Sequence, residues 1–339
     1  MIITDLISTV AVLFVMMVPG IVMKKCRLCP DGFGKGLSNL VLYIAQPILI
    51  VYSYISYSGK FSDIWLDALL VFAFSVLAHT LFSVVAMLVF RKAPDAHRRM
   101  LRLATIFSNA AFMGIPLIEI LLGAEAAIYA SIYNITFNLF LWTLGVHLCT
   151  WEKGRDMDGD GDSDIKDEYL SAVKHTGAWR ALLKVALHPV TIASFVGIIL
   201  LASGANTYVF RVDLISDCLL MIKNLVAPLS MVVIGIRLAD INLRGFFNDV
   251  YMYGYLMLRH LLLPLAVLGI VKLISLIGVP VSETVYLVTV ILAATPAASS
   301  ATMFAEMYDC DASYASRLVA VSTILCIATM PLIVMIAQL

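Results

Sequence analysis

The polar residues best placed for chemistry lie in two proline-containing stretches of otherwise apolar sequence. One stretch, at 108–117, reads Ser-Asn-Ala-Ala-Phe-Met-Gly-Ile-Pro-Leu, and the other, at 293–302, reads Ala-Ala-Thr-Pro-Ala-Ala-Ser-Ser-Ala-Thr. Proline removes a backbone donor and clashes with the preceding turn, so each stretch predicts an interrupted helix. The helix that restarts after an interruption presents unpaired N–H groups and a positive dipole end, which together bind anions. The candidate substrate-binding residues of these stretches are Asn109, Gly114, Pro116, Thr295, Pro296, Ser299 and Ser300.

Each of these assignments has a simpler alternative. Membrane helices tolerate proline and glycine, so the two stretches could be continuous but kinked helices. The amide of Asn109 offers a donor and an acceptor to a carboxylate, but it could equally cap the interrupted helix. Tyr43 and Gln46 lie three residues apart beside Pro47, which predicts a shared helix face that forms the opposite wall of the site. For Tyr43, core packing is an equal alternative.

Charged residues inside apolar stretches form a second group of candidates. Lys223, followed by Asn224, and Arg259 each fall about halfway along such a stretch, where an uncompensated charge is costly. Arg259 could hold a substrate carboxylate with two N–H groups, and Lys223 could act as a point charge. Alternatively, each pairs with an acidic residue, of which Glu119 is the first choice and Asp217 another, or Lys223 lies near the membrane surface and extends its charge into the interface. Glu119 is also the candidate for proton coupling, unless it lies at the membrane surface.

An acidic loop suggests one metal site. Asp156, Asp158 and Asp160 occupy the first, third and fifth positions of a calcium-binding loop of the EF-hand type, and Gly161 occupies the sixth. The loop lacks the glutamate that would close the site, so a solvated acidic loop without calcium is the favoured interpretation. No other cofactor is expected.

The composition requires membrane-spanning helices to position these residues. Of the 339 residues, 61% are apolar and only 14% are charged, which excludes an ordinary soluble protein. Lysine plus arginine and aspartate plus glutamate number 23 each, so no net charge attracts nucleic acid. Apolar stretches long enough to cross a bilayer predict ten helices. They run over 6–23, 38–57, 64–90, 101–122, 125–150, 186–203, 213–238, 246–272, 283–305 and 313–338.

The cations predict the orientation of these helices. Seventeen lysines and arginines fall in the loops after the first, third, fifth and seventh stretches, and only Lys60, Arg211 and Lys272 fall on the opposite side. Because cytoplasmic loops are enriched in lysine and arginine, we expect both termini outside the plasma (inner) membrane.

The ten helices divide into two equal halves. The hydrophilic segment at 151–185 separates a five-helix unit at 1–150 from a second unit at 186–339, and we expect this acidic linker in the cytoplasm. The halves echo each other, since Ala-Ile-Tyr-Ala-Ser at 127–131 matches Ala-Ser-Tyr-Ala-Ser at 312–316. An odd number of helices per unit inverts the second copy, which is typical of transporters.

The chain resembles the auxin efflux carrier family, part of a wider superfamily that includes the bile-acid sodium symporters. Its short central loop and the absence of the plant carriers' Asn-Pro-Asn crossover favour a bacterial-type member. The resemblance covers essentially the whole chain and rests on the stretches at 108–117, 295–298, 305–308, 322–323 and 330–332.

The resemblance implies a fold and a function. The fold is all-α and polytopic, with ten transmembrane helices in a 5+5 inverted repeat and with helices 4 and 9 crossing at their interruptions. Helices 1, 2, 6 and 7 form a scaffold, and helices 3–5 and 8–10 form a transport bundle. We expect a secondary transporter of small organic anions, either mono- or dicarboxylates, that works by alternating access.

The remaining expectations concern partners and alternatives. The partners are the organic anion and the lipid bilayer, without nucleic acid; a coupling ion, either a proton or sodium, and a homodimer stay open. A membrane sensor or regulator that binds a ligand without moving it is the alternative function, although the central loop is short for an output domain. We expect no enzyme, because the sequence has no arrangement of nucleophile and base.

Overall fold

The computed structural model describes residues 2–30, 32–150, 183, 185–239 and 249–338. This part of the chain is helical, and its one pairing of extended backbone is an antiparallel bridge between Ser108 and Ala297. The all-α prediction is therefore confirmed. Asp156, Asp158 and Asp160, with most of the acidic linker, lie outside the described residues.

The described residues of the first half contain the α-helices α1 to α8, and residues 146–150 are also helical. A wider π-helical turn precedes α4 at Val41–Ala45, another precedes α7 at Ala110–Gly114, and a third follows α8 at Leu141–Gly145. The α-helices are α1 Ile2–Val15, α2 Val18–Lys25, α3 Phe33–Leu40, α4 Gln46–Ser56, α5 Phe61–Val89, α6 Asp95–Ile106, α7 Ile115–Leu122 and α8 Ala124–Phe140.

The second half continues in the same style. A fourth π-helical turn, Leu258–Leu262, joins two of its helices. The α-helices are α9 Pro189–Ala202, α10 Asn206–Phe210, α11 Asp213–Lys223, α12 Val226–Ala239, α13 Val250–Met257, α14 Leu263–Leu276, α15 Glu283–Ala294, α16 Ser300–Met307 and α17 Ala312–Ala337.

Seven helical runs in the described chain are long and apolar enough to cross a membrane. Three shorter apolar helices coincide with the fourth, sixth and ninth predicted spans: Ala110–Leu122, Pro189–Ala202 and Glu283–Ala294. The fourth and ninth are short because α6 and α15 end where the proline-containing stretches begin. The seven long runs are Ile7–Lys25, Phe33–Ser56, Phe61–Lys92, Ala124–Thr150, Asp213–Ala239, Val250–Leu276 and Ala312–Ala337.

Proline explains three of the four π-helical turns. Pro47, Pro116 and Pro264 each lie at the second position of the α-helix that follows such a turn. In each case the residue just before the proline donates its N–H to the carbonyl five residues back. Proline has no N–H to continue the normal ladder, and a single wider turn accommodates that loss without breaking the helix.

Glycine allows two helix pairs to approach closely. Gly235 on α12 faces the backbone of Met17, just before α2, and an added Cβ would overlap the Met17 carbonyl oxygen. Gly20 on α2 makes the matching approach to the Val232 carbonyl. Gly197 on α9 lies against the ring of Tyr54 on α4. These contacts fasten α2 to α12 and α9 to α4, with small residues at the interface as in other membrane helix pairs.

We expect Gly235→Ala to destabilise the protein by about 1–3 kcal/mol, because the added methyl group must push the backbones of α2 and α12 apart. Thermal unfolding in detergent would measure the loss. Gly269→Ala is the matched control, since nothing lies within 4 Å of a Cβ at that helical position. Equal melting temperatures for the two variants would show that the α2–α12 contact is looser than described.

Candidate functional site

Two short segments of extended backbone pair where α6 and α15 end. The Asn109 N–H donates to the Pro296 carbonyl at 2.7 Å, and the Ala298 N–H donates to the Phe107 carbonyl at 2.9 Å. These bonds form the antiparallel bridge between Ser108 and Ala297. The segments, Phe107–Asn109 and Thr295–Ser299, are called the crossing segments below. They overlap the two stretches that the sequence marked. Each segment donates one backbone N–H to a carbonyl of the other.

A helical segment continues from each crossing segment. Asn109 is followed by the π-helical turn and α7, and Ser299 is followed by α16. Gly114 allows the π-helical turn to approach α15 closely, because a Cβ at this position would lie 2.5 Å from Leu292 Cδ2 on α15. Pro116 lies in the first turn of α7. Gly114 and Pro116 therefore shape the backbone of the site.

Arg259 contacts one crossing segment and the helix that precedes the other. Its side chain is fully buried, and the guanidinium donates to the Thr295 carbonyl at 2.6 Å and to the Thr105 carbonyl at 3.4 Å. Thr105 lies in the last turn of α6, and Thr295 directly follows α15, so the cation lies at two negative helix ends. The ring of Phe82 lies 5.4 Å from the guanidinium carbon.

These contacts give Arg259 partners that the sequence did not predict. They are backbone carbonyls, and no carboxylate in the described chain forms an ion pair with it. The sequence located the charge correctly. The carbonyls that bind it belong to residues 36 and 154 positions away, which no local pattern reveals.

A serine and a histidine add a second support that the sequence did not predict. The Ala297 N–H donates to Ser322 Oγ on α17 at 2.9 Å, and His260 Nε2 lies 2.8 Å from the same oxygen. His260 Nδ1 lies 3.0 Å from Thr329 Oγ1. The position of His260 next to Arg259 was the one available signal.

Gln46 reaches the site and Tyr43 does not. Gln46 is fully buried, and its Nε2 donates to the Ala111 carbonyl at 2.7 Å, in the turn that follows Asn109. Tyr43 is 61% exposed. The two side chains do not share a face, because Tyr43 lies within the π-helical turn at Val41–Ala45 and Gln46 directly follows that turn. A wider turn rotates the chain less per residue than the α-helix that the spacing assumed.

Lys223 forms an ion pair with Glu119, which was the alternative interpretation for these residues. The pair joins the end of α11 to α7, and both side chains are largely buried. Lys223 Nζ also lies 4.8 Å from the centre of the Tyr52 ring on α4. Asn224 is exposed in the turn between α11 and α12. The link therefore connects α7, which continues from one crossing segment, to α11.

Several buried polar atoms around the crossing segments have no hydrogen-bond partner among the residues that the structure describes. They are Asn109 Nδ2, Ser108 Oγ, Gln46 Oε1, Ser230 Oγ and Ser300 Oγ. Buried polar groups are normally satisfied, so such a group is a candidate for contact with a ligand or water. The hydroxyl of Thr295 differs, because it donates to the Leu292 carbonyl at 2.8 Å.

Arg237 is a further cation at this site, at the end of the seventh predicted span, that the sequence did not single out as a binding residue. It lies in the last turn of α12, where its guanidinium donates to the Ser299 carbonyl at 3.0 Å and to Ser38 Oγ at 3.4 Å. The predicted residue Ser299 is thus positioned by its carbonyl, and its side chain is buried.

A cavity of about 410 Å³ lies away from the crossing segments. It is lined by residues near the ends of α14 and α15, including Lys272, Glu283 and Tyr286. Lys272 and Glu283 are exposed, so this cavity opens at the surface of the protein and does not overlap the residues predicted to bind substrate.

Comparisons with known proteins show the family of the chain. A family model described as "Membrane transport protein" matches residues 5–334. A curated protein of Methanothermobacter thermautotrophicus, described as an uncharacterized transporter, is 25% identical over 327 residues, which cover 96% of each chain. The similarity therefore spans both crossing segments and the helices around them.

We expect Arg259→Met to lower the melting temperature strongly, because it leaves the buried Thr105 and Thr295 carbonyls without their charged donor. An unsatisfied buried group costs about 1–3 kcal/mol. Thermal unfolding and gel filtration in detergent would measure the effect. Lys272→Met, which removes an exposed cation from α14, is the control. A variant at position 259 as stable as the control would contradict the structural role of Arg259.

Proposed function

Because the chain belongs to the membrane transport protein family, which comprises the auxin efflux carriers, we propose that it is a secondary transporter of small organic anions. It is a multi-pass membrane protein with several apolar helices. In our proposal, mono- or dicarboxylates cross the plasma (inner) membrane by alternating access, and they bind where the crossing segments meet.

The observation that carries this proposal is the pairing of Phe107–Asn109 with Thr295–Ser299. A helical segment starts just beyond each partner, so two positive helix ends lie near one point. Non-helical backbone is tolerated at membrane depth only where protein or a cavity surrounds it, and transporters use such segments for binding. The unpartnered amide of Asn109 supplies a donor for a carboxylate at this point.

We also propose the bundle arrangement that the sequence suggests, with ten helices as two inverted sets of five and both termini outside. The close glycine contacts of α2 with α12 and of α9 with α4 support a scaffold built from spans 1, 2, 6 and 7. The contacts of Arg259 and Ser322 support a moving unit, because they bind the segment Thr295–Ser299 and the end of α6 to spans 8 and 10. Substrate would lie between these two bodies.

Uptake by purified protein in proteoliposomes tests this function. Radiolabelled malate, malonate and indole-acetate would be supplied while the sodium gradient, the pH gradient and the voltage are varied separately. We expect uptake of at least one anion, driven by at least one gradient. Saturable binding without uptake would favour the sensor or regulator. The absence of both binding and uptake would contradict the proposal.

For the site itself, we expect Asn109→Ala to raise KM about 10- to 100-fold, because a hydrogen bond to a charged group contributes about 1.5–3 kcal/mol. Asn39→Ala, at an exposed position of α3, is the matched control. The folded fraction of each variant is measured by gel filtration. An unchanged KM in a folded Asn109→Ala protein would place the substrate elsewhere.

Glu119 is our proposed residue for proton coupling, and its pairing with Lys223 ties any change in its charge to the contact between α7 and α11. We expect Glu119→Gln to remove the dependence of uptake on the pH gradient while uptake driven by the substrate gradient continues. Glu283→Gln, an exposed acid at the start of α15, serves as the control. Uptake that still follows the pH gradient in Glu119→Gln would exclude this role.

A further inference from the structure

Three cations contact the crossing segments or the helices that continue from them, and their partners differ in kind. Lys223 is paired with a carboxylate, that of Glu119. Arg259 is enclosed, with no exposed surface, between two backbone carbonyls. Arg237 is only partly buried, and its two described contacts are with neutral groups, the Ser299 carbonyl and the Ser38 hydroxyl. A guanidinium has five N–H donors, more than these two contacts use.

Arg237 lies at the negative end of α12, which favours a cation, but its guanidinium reaches the positive end of another helix. Ser299, which it contacts, directly precedes α16, so the guanidinium lies beside the positive end of that helix dipole. Cations stabilise helix C-termini and anions stabilise N-termini. Glu306, exposed near the far end of α16, is the acidic residue whose charge acts on Arg237. An anion held between Arg237 and the start of α16 would satisfy both positive groups at once.

Arg237 can exchange its existing contacts for a ligand without leaving either partner unsatisfied. The Ser299 carbonyl also accepts the Met303 N–H at 3.4 Å, within α16. The Ser38 hydroxyl donates to the Gly34 carbonyl at 2.8 Å. When Arg237 turns to a ligand, each former partner therefore keeps a hydrogen bond. Arg259 has no such freedom, because it is enclosed at the ends of α6 and α15.

The helix that carries Arg237 brings a second polar group to the same face. Ser230 lies seven residues earlier on α12, which is two helical turns, and its side chain is fully buried. Its Oγ has no hydrogen-bond partner among the described residues. The α12 helix packs against the π-helical turn that follows Asn109, and Arg237 reaches the start of α16. The α12 helix thus contacts the starts of both helical segments.

We propose that Arg237 binds the carboxylate of the transported anion, exchanging the Ser299 carbonyl for a carboxylate oxygen. This inference rests on the proposed function and adds the residue that recognises the charge of the substrate. The planar guanidinium binds a carboxylate with two parallel N–H groups, which a lysine cannot reproduce. The bound anion then bridges α12 and α16, so that binding itself draws the two proposed bodies together.

Transport kinetics of Arg237→Gln and Arg237→Lys test this role. The probe is whichever of radiolabelled malate, malonate and indole-acetate the wild-type protein transports in proteoliposomes. We expect Arg237→Gln to raise KM at least about tenfold, as befits the loss of a charged hydrogen bond. Arg237→Lys should recover part of the affinity, because it keeps the charge but loses the two-pronged geometry. Lys35→Gln, which removes an exposed cation from α3, is the matched control and should behave as wild type.

A second readout separates recognition of charge from a structural effect. The corresponding uncharged amide is added as a competitor, and its inhibition constant is compared with that of the carboxylate. Recognition by Arg237 predicts that Arg237→Gln weakens the carboxylate and leaves the amide unchanged, whereas a distorted site weakens both equally. Equal weakening of both ligands overturns the inference, and so does a wild-type KM in Arg237→Gln. The absence of uptake by the wild-type protein would instead contradict the proposed function.

Discussion

The structure depends on one constraint, that backbone polar groups away from water need partners. The crossing segments have left their helices, and they meet this requirement by pairing with each other and by recruiting side chains. The Asn109 and Ala298 amides pair with carbonyls across the bridge, Arg259 supplies donors to the ends of α6 and α15, and Ser322 accepts from Ala297. Helices that are distant in the sequence therefore contact one another at this point.

The sequence predicted the features that arise from local chemistry. Apolar stretches of membrane length predicted the helices, and Pro116 and Pro296 with their small neighbours marked the two stretches where the backbone leaves the helix. It could not predict the features that depend on distant partners. The role of Arg259 is set by the Thr105 and Thr295 carbonyls, and the position of Arg237 is set by the Ser299 carbonyl, 62 residues further along the chain.

The three cations near the crossing segments differ in the type of partner that each one contacts. Arg259 compensates backbone carbonyls, so its charge serves the fold. Lys223 is neutralised by Glu119, so the pair as a whole carries no net charge. Arg237 contacts neutral groups beside the positive end of α16, and its charge is offset by the negative end of its own helix and by Glu306 rather than by an ion pair in the described residues. A buried charge is costly unless an opposite charge meets it, and for this reason Arg237 is the cation that we propose for binding the substrate carboxylate.

The four π-helical turns in the described residues change the directions in which side chains point along their helices. Each turn inserts a phase shift, so residues before and after it do not fall on the faces that a helical wheel assigns. Tyr43 and Gln46 illustrate this departure from a helical wheel, because Tyr43 is exposed whereas Gln46 is buried and donates to the Ala111 carbonyl. In a mutational scan through any of these spans, the periodicity of the sensitive positions should therefore shift at the turn. The residues before and after the turn need separate helical wheels.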